Sequence, residues 1–171
     1  VHKLLRVGRD LFIRTGMLNL FLLLATRKAT QLGADSGAAH QAIRQVWMLG
    51  AFVLDSYAVT GQSLVAYFYG GGRIKEARLV GKIVCLWGFI SGVAWAGIMW
   101  LGQGVVITLL VPASAVSLFN TAWLLALMVQ PVNALAFATD GLHWGTGDYT
   151  YLRNAVMLAT GIGAIGLLIG A

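Results

Sequence analysis

Two aspartates stand in stretches of this chain where a carboxylate is costly. Asp55 lies in Ala51-Phe52-Val53-Leu54-Asp55-Ser56-Tyr57 and Asp140 in Phe137-Ala138-Thr139-Asp140-Gly141. No basic residue lies one helical turn from Asp55. Such a group must find its counter-charge on another element, line water, or take up a proton. The chemistry on offer is that of a carboxylate that answers protons and cations. A low-dielectric site raises its pKa, and an arriving cation competes with the bound proton. The competing reading of Asp55 is a packing carboxylate bonded to hydroxyls such as Ser56 or Tyr57. Asp140 comes late in its apolar stretch and has a solvated helix cap as its competing reading. Both aspartates sit in the short pattern Phe-x-x-Asp-small.

Arg14 falls one turn inside the first apolar stretch. Snorkelling to the cytoplasmic interface is the preferred reading, and a counter-charge for a buried carboxylate is the alternative. Gln45, Gln62, Gln130 and Asn133 are uncharged polar residues in apolar surroundings. Each serves as a hydrogen bond between helices, worth about 0.6 kcal/mol, or lines a substrate path.

Other features carry less. Cys85 sits alone in an apolar run and supports neither a disulfide nor a metal site. His2, His40 and His143 have no metal-like spacing. Gly70-Gly71-Gly72 resembles a helix cap before a basic loop and lacks the Lys-Ser/Thr of a phosphate-binding loop. Gly88-x-x-x-Gly92 and Gly166-x-x-x-Gly170 allow close helix approach, but 22 glycines make such spacings common here. Asp148 reads as a turn residue. No nucleophile, base and acid cluster in sequence, so an enzyme is not expected and no cofactor or metal is called for.

The elements that hold these residues follow from composition. The 171 residues are 58% hydrophobic and 11% charged, with mean hydropathy +0.79. A soluble domain carries about 25% charged residues. So few charges cannot cover a water-facing surface, and the lipid bilayer is the partner that explains the rest. Glycine and the six tryptophans suit membrane helices and their interfaces. A β-barrel would alternate apolar and polar residues in segments of about ten, which residues 18–25 and 158–171 do not. The fold class is therefore all-α, a polytopic transmembrane bundle. Five spans are expected, at about 11–32, 41–69, 83–110, 115–144 and 152–171. A kink is expected at Pro131, and an interruption of the third span at Gly102-Gln103-Gly104.

The net charge of +6 has its explanation in topology, and a nucleic-acid partner is not expected. Lys3, Arg6, Arg9, Arg14, Arg73, Lys75, Arg78, Lys82 and Arg153 fall on one side of this arrangement. Only Arg27, Lys28 and Arg44 fall toward the other. The positive-inside rule puts the amino-terminal end in the cytoplasm. The chain begins at Val1 and ends at Ala171 in an apolar run, and both ends are expected to be cut within a longer polypeptide.

Two stretches and their order carry a resemblance. The first runs from Leu32-Gly33-Ala34-Asp35-Ser36-Gly37 through Leu54-Asp55-Ser56-Tyr57-Ala58-Val59-Thr60-Gly61-Gln62 to Gly70-Gly71-Gly72 and Glu76-Ala77-Arg78. The second is Gln130-Pro131-Val132-Asn133-Ala134-Leu135-Ala136-Phe137-Ala138-Thr139-Asp140-Gly141, followed by Gly145 and Arg153-Asn154. With the start Arg9-Asp10-Leu11-Phe12-Ile13-Arg14-Thr15, nearly the whole chain resembles the second lobe of the multidrug and toxic compound extrusion (MATE) family, in its DinF-like branch.

The resemblance implies a twelve-span transporter of two six-helix lobes, of which these spans are the seventh to eleventh. The amino-terminal lobe of the same polypeptide is then a partner. The implied activity is export of small organic cations and xenobiotics by antiport with protons or sodium, with the lobes rocking about a central cavity. Asp55 and Asp140 are the implied ion-coupling residues. Arg14, Gln45, Gln62 and Asn133 are candidates to line the cavity. The sodium-linked branch has acids in spans seven and ten. Here the first span has no acid between Leu11 and Leu32, and the span-ten position falls on Asn133. Protons are therefore preferred over sodium. The implied location is the plasma (inner) membrane. A lipid-linked-sugar flippase of the same superfamily is one alternative, with Arg14 and Arg44 to hold a pyrophosphate. A non-transporting membrane scaffold subunit is the other.

Overall fold

A computed structural model describes the backbone of residues 2–169 and the side chains of residues 4–169. The side chains of His2 and Lys3, and Gly170 and Ala171 at the end of the fifth expected span, lie outside the described residues. The described residues form helix α1 (His2–Gln31), α2 (Ala34–Gly70), α3 (Ile74–Leu110), a single 3-10 turn (Ala113–Ala115), α4 (Val116–Met128), α5 (Gln130–Thr146) and α6 (Tyr149–Ile169). The all-α membrane bundle read from composition is the fold.

Local chemistry sets the breaks. Gly33 between α1 and α2 has φ 124°, which a side chain would strain. Gly147 closes α5 in the left-handed region, at φ 75°, and its N–H donates to the Trp144 carbonyl at 3.1 Å. Asp148 then starts α6 by accepting the Tyr151 N–H at 3.1 Å. That is the turn role read for it.

Three details differ from expectation. First, α3 runs unbroken through Gly102-Gln103-Gly104 to Leu110. Gln103 uses its side-chain amide to donate to Asn120 of α4 at 2.8 Å. Second, Pro131 is not itself the break. It occupies the first turn of α5, where no intrahelical N–H is needed. The bend of 48° falls just before it, at Val129, between α4 and α5. Third, the basic stretch Lys75, Arg78 and Lys82 is not a loop. It rides the first turns of α3, whose 37 residues extend about 55 Å at 1.5 Å each. That exceeds the roughly 30 Å of a hydrocarbon core, so the helix is longer than a crossing needs.

By length and apolar composition, α3 and α6 each qualify as membrane-crossing, and α4 with α5 qualify as one bent crossing. Helices α1 and α2 are long enough but more polar. Some of their polar residues, Arg14, Thr26, His40 and Arg44, belong to the contacts described below.

Packing in the bundle centre depends on missing side chains. Helix α5 sits between α2 and α3. A Cβ at Gly141 would strike the backbone of Ala58 on α2, and one at Gly145 would come within 2.6 Å of the Gln62 carbonyl. On the other flank a Cβ at Gly92 of α3 would lie 2.6 Å from the Ala134 Cβ and 2.9 Å from the Gln130 carbonyl. Gly88-x-x-x-Gly92 is therefore a working seam against α5. Gly166, by contrast, has nothing within 4 Å. Between apolar surfaces in lipid, close backbone approach is the main source of helix affinity. At one end a buried cluster of Ala39, Ala42, Val46, Met99, Phe119, Trp123 and Leu127 closes the bundle.

Helix α6 packs on α1, with Gly163 seated on the ring of Phe21. Among the described residues, the Cα atoms of α1 and α5 stay more than 8 Å apart. Helix α1 meets α2 and α6 meets α5, so the cleft is the gap left between α1 and α5.

Candidate functional site

The cleft is crossed by one ion pair. Arg14 on α1 donates through Nη2 to both carboxylate oxygens of Asp140 on α5, at 2.6 Å each. Trp144, one turn along α5 from Asp140, donates its Nε1 to the same carboxylate at 3.2 Å. Its ring also lies under the guanidinium, 5.9 Å from Arg14 Cζ. The spacing i, i+4 puts Asp140 and Trp144 on one helix face. Arg14 is 17% exposed and Asp140 30%. Arg14 thus does not snorkel outward. The pairing is that of the alternative reading, a counter-charge for a carboxylate on another helix, with the carboxylate itself part-exposed rather than buried. Asp140 is held by two partners and is not a freely solvated cap. The Nε of Arg14 remains buried with no partner among the described residues.

One hollow adjoins this pair and a second lies farther along the bundle. The first, of about 230 Å³, opens between α5 and α6 and is lined by Thr139, Asp140, His143 and Tyr151 among others. The ring of His143 stacks on Tyr151 with centroids 4.1 Å apart. The second, of about 180 Å³, lies between α1, α2 and the α4–α5 bend, with Thr26, His40, Arg44, Trp47 and Gln130 on its wall. Thr26 Oγ1 sits 3.3 Å from His40 Nε2 and accepts from Arg44 at 3.5 Å. Gln130 is 1% exposed. Its amide donates to the Ala126 carbonyl at 3.1 Å, while its Oε1 is buried without a partner. The Nδ2 of Asn133, one turn further on, is also buried and unpaired. Buried polar atoms seldom stay unsatisfied, so Gln130 gives this wall one free acceptor, and Asn133 holds a free donor elsewhere on the same helix.

Asp55 is placed differently. It is exposed on α2, and among the described residues it has neither an ion pair nor a hydrogen bond. Ser56, its expected packing partner, instead donates to the Val53 carbonyl at 2.6 Å. Gln62, seven residues on and so on the same helix face, is half-buried, and Gln45 is exposed. The structure therefore brings Arg14 and Asp140 together and leaves Asp55, Gln45 and Gln62 outside that contact. No group of three or more His, Cys, Asp or Glu side chains suited to a metal occurs among the described residues.

Sequence reasoning passed over one acid. Asp10, 2% exposed, ties the start of α1 to the start of α6. It accepts from Arg153 at 2.7 Å, from Arg9 at 3.0 Å and from Thr150 at 3.3 Å. Burial pushes its pKa up. The hydrogen bonds and positive charges of Arg9 and Arg153 outweigh that and hold it below 3.8. The clue was present in the sequence: an acid one residue ahead of an apolar run, and an otherwise spare Arg153. The direction of the shift sets a pH dependence. The native state binds this proton less tightly than the unfolded chain, so the contribution is complete above pH 3.8 and fades as pH falls through the native pKa. Asp10→Asn should lower the thermal midpoint at neutral pH and flatten the acid limb of the stability profile. An acid limb identical to the wild type would refute the clamp.

The chain is similar to known proteins along nearly all of its length. The family model MatE matches residues 12–169. Protein DETOXIFICATION 44, chloroplastic, of Arabidopsis thaliana is 30% identical over 171 residues, which is 99% of this chain and 33% of that protein. Protein DETOXIFICATION 43 of the same plant is 28% identical, covering 96% of this chain and 31% of the relative. DNA damage-inducible protein F of Escherichia coli (strain K12) is 23% identical, covering 98% and 37%. The chain thus spans about a third of the length of the curated relatives it matches. No solved structure matches it. A match over more than nine-tenths of the residues, on a helical bundle with an acid–base pair across its cleft, makes this chain a member of the MatE family, the transporters its sequence resembles.

Proposed function

We propose that this chain forms five membrane crossings of the second lobe of an efflux transporter, with α4 and α5 as one bent crossing. The whole protein exports small organic cations and xenobiotics in exchange for protons, with the absent amino-terminal lobe closing the cavity. The observation that carries this reading is Asp55, an exposed and unpartnered carboxylate midway along a helix of 37 residues. Facing lipid it would cost a few kcal/mol. Facing a wet cavity between two lobes, it takes a proton from outside and yields it to an arriving cation inside. Each charge moved is worth about 2.3 kcal/mol per 100 mV, which supplies the drive.

Asp140 has the second role. Its charge is balanced by Arg14, so protonation would release Arg14 and loosen the brace between α1 and α5. Among the described residues no second acid stands beside Asp140 or Asn133 to complete a cation cage, which favours protons over sodium. The membrane is the plasma (inner) membrane, with the start of α1 cytoplasmic, which puts the Asp10 clamp and the basic end of α3 on the inner side.

The test is Asp55→Asn in the full polypeptide, assayed in vesicles under an imposed proton gradient. Export of an organic cation should fall at least tenfold while expression is unchanged. Unchanged proton-driven export would remove Asp55 from the mechanism. A flippase for anionic lipid-linked sugars is favoured by one feature, Arg44, which has no carboxylate partner among the described residues. Tighter binding of a pyrophosphate than of an organic cation would favour that reading.

A further inference from the structure

Arg27 and Lys28 are placed against the charge pattern of the chain. Nine of the twelve basic residues gather toward the other end of the bundle, where the positive-inside rule accounts for them. These two stand adjacent, near the far end of α1. Among the described residues neither has an ion pair or a side-chain hydrogen bond. Asp35, the acid at that end, accepts from Ser114 at 2.7 Å instead.

Both cations line a groove of about 350 Å³ between α1 and α6, together with Gln31. The rest of its wall is aliphatic: Leu24 from α1, and Ala164, Leu167 and Leu168 from α6. Leu168 is 78% exposed. Of the α6 residues on its wall only Ala164 is small, and the neighbouring glycines differ in their surroundings. Gly163 lies close on Phe21, whereas Gly166 has nothing within 4 Å. One end of the groove is thus cationic with an amide donor, and its length is apolar. Water suits the first and not the second. A soluble anion suits the first alone.

We propose that this groove holds an anionic phospholipid, its phosphate against Arg27 and Lys28 and an acyl chain along Leu24, Ala164, Leu167 and Leu168. The pairing satisfies both halves of the surface at once. A cation at headgroup level attracts an anionic lipid, here in the leaflet opposite the cytoplasmic one, and the long side chains keep their charge at that level while their stems lie along the groove. The bound lipid would wedge the α1–α6 pair at the end opposite the Asp10 clamp.

The test uses the full polypeptide carrying this chain, purified from bilayers of phosphatidylglycerol and phosphatidylcholine in equal amounts, with retained lipid read by native mass spectrometry. Phosphatidylglycerol should be retained over phosphatidylcholine, and excess inorganic phosphate should not displace it. Each cation contributes about a fivefold gain in affinity, so Arg27→Gln with Lys28→Gln should weaken phosphatidylglycerol about thirtyfold and leave phosphatidylcholine unchanged. Equal retention of both lipids by the wild type overturns the proposal without any variant, as it would if the remainder of the polypeptide fills the groove. Displacement by phosphate alone, or full retention by the double variant, overturns it as well.

Discussion

Replacing Asp140 with alanine is expected to destabilise the bundle by about 2–4 kcal/mol, among the largest losses for any single polar change. Removing one partner of a buried ion pair strands the other charge, at a cost of roughly 3–5 kcal/mol. The 30% exposure of Asp140 lets some water reach the site and trims that figure. The loss arises on Arg14, whose guanidinium is only 17% exposed and whose Nε already lacks a partner. Arg14→Ala should therefore cost a comparable amount, and the two losses should not add. The double variant, with no charge left behind, should be less destabilised than the sum by more than 1 kcal/mol. Thermal midpoints of the full polypeptide in detergent would show this. Strict additivity would mean that the two side chains do not support one another. Arg14→Lys would recover only part of the stability, because a single ammonium cannot replace the guanidinium that also lies against Trp144.

Gly141→Ala should be as damaging through a different cause. The added Cβ meets the Ala58 backbone, and backbone cannot swing aside as a side chain end can. Helices α2 and α5 must separate along a seam that also includes Gly145 against Gln62. Overpacking costs about 1–3 kcal/mol, occasionally more, and a main-chain clash belongs at the upper end. Gly166→Ala is the matched control. It lies in α6 with open space around it, so the alanine should be neutral or stabilise by up to about 1 kcal/mol through helix propensity. Parallel thermal melts would separate the two. Equal shifts for both variants would show that the α2–α5 seam is not the close contact described. Because Asp140 adjoins Gly141, a shifted seam should also loosen the Arg14 pair and so link bundle packing to the site.

Composition and periodicity were enough to read the class of fold. Eleven per cent charged residues cannot surround a soluble core, and long unalternating apolar runs leave helices as the only backbone solution in lipid. The same local logic located the aspartates, because a charge inside an apolar run is visible without knowing its neighbours. The order and spacing of the short stretches around Asp55 and Asp140 were enough to recognise the family.

What those aspartates touch was not legible. Arg14 and Asp140 are 126 residues apart, and Asp10 and Arg153 are 143 apart. No local rule pairs them. The pairing follows from α6 folding back onto α1, and from α5 lying between α2 and α3 so that Asp140 turns toward the cleft. Helix boundaries shifted for a related reason. Hydropathy marks where lipid begins, whereas a helix continues for as long as its backbone bonds remain satisfied, and so α3 extends well beyond its apolar stretch. Glycines at Gly88, Gly92, Gly141 and Gly145 could not be told from the chain's other glycines by spacing alone. Only the approach of a neighbouring backbone distinguishes a seam from an open face, and that approach exists only once the helices have packed.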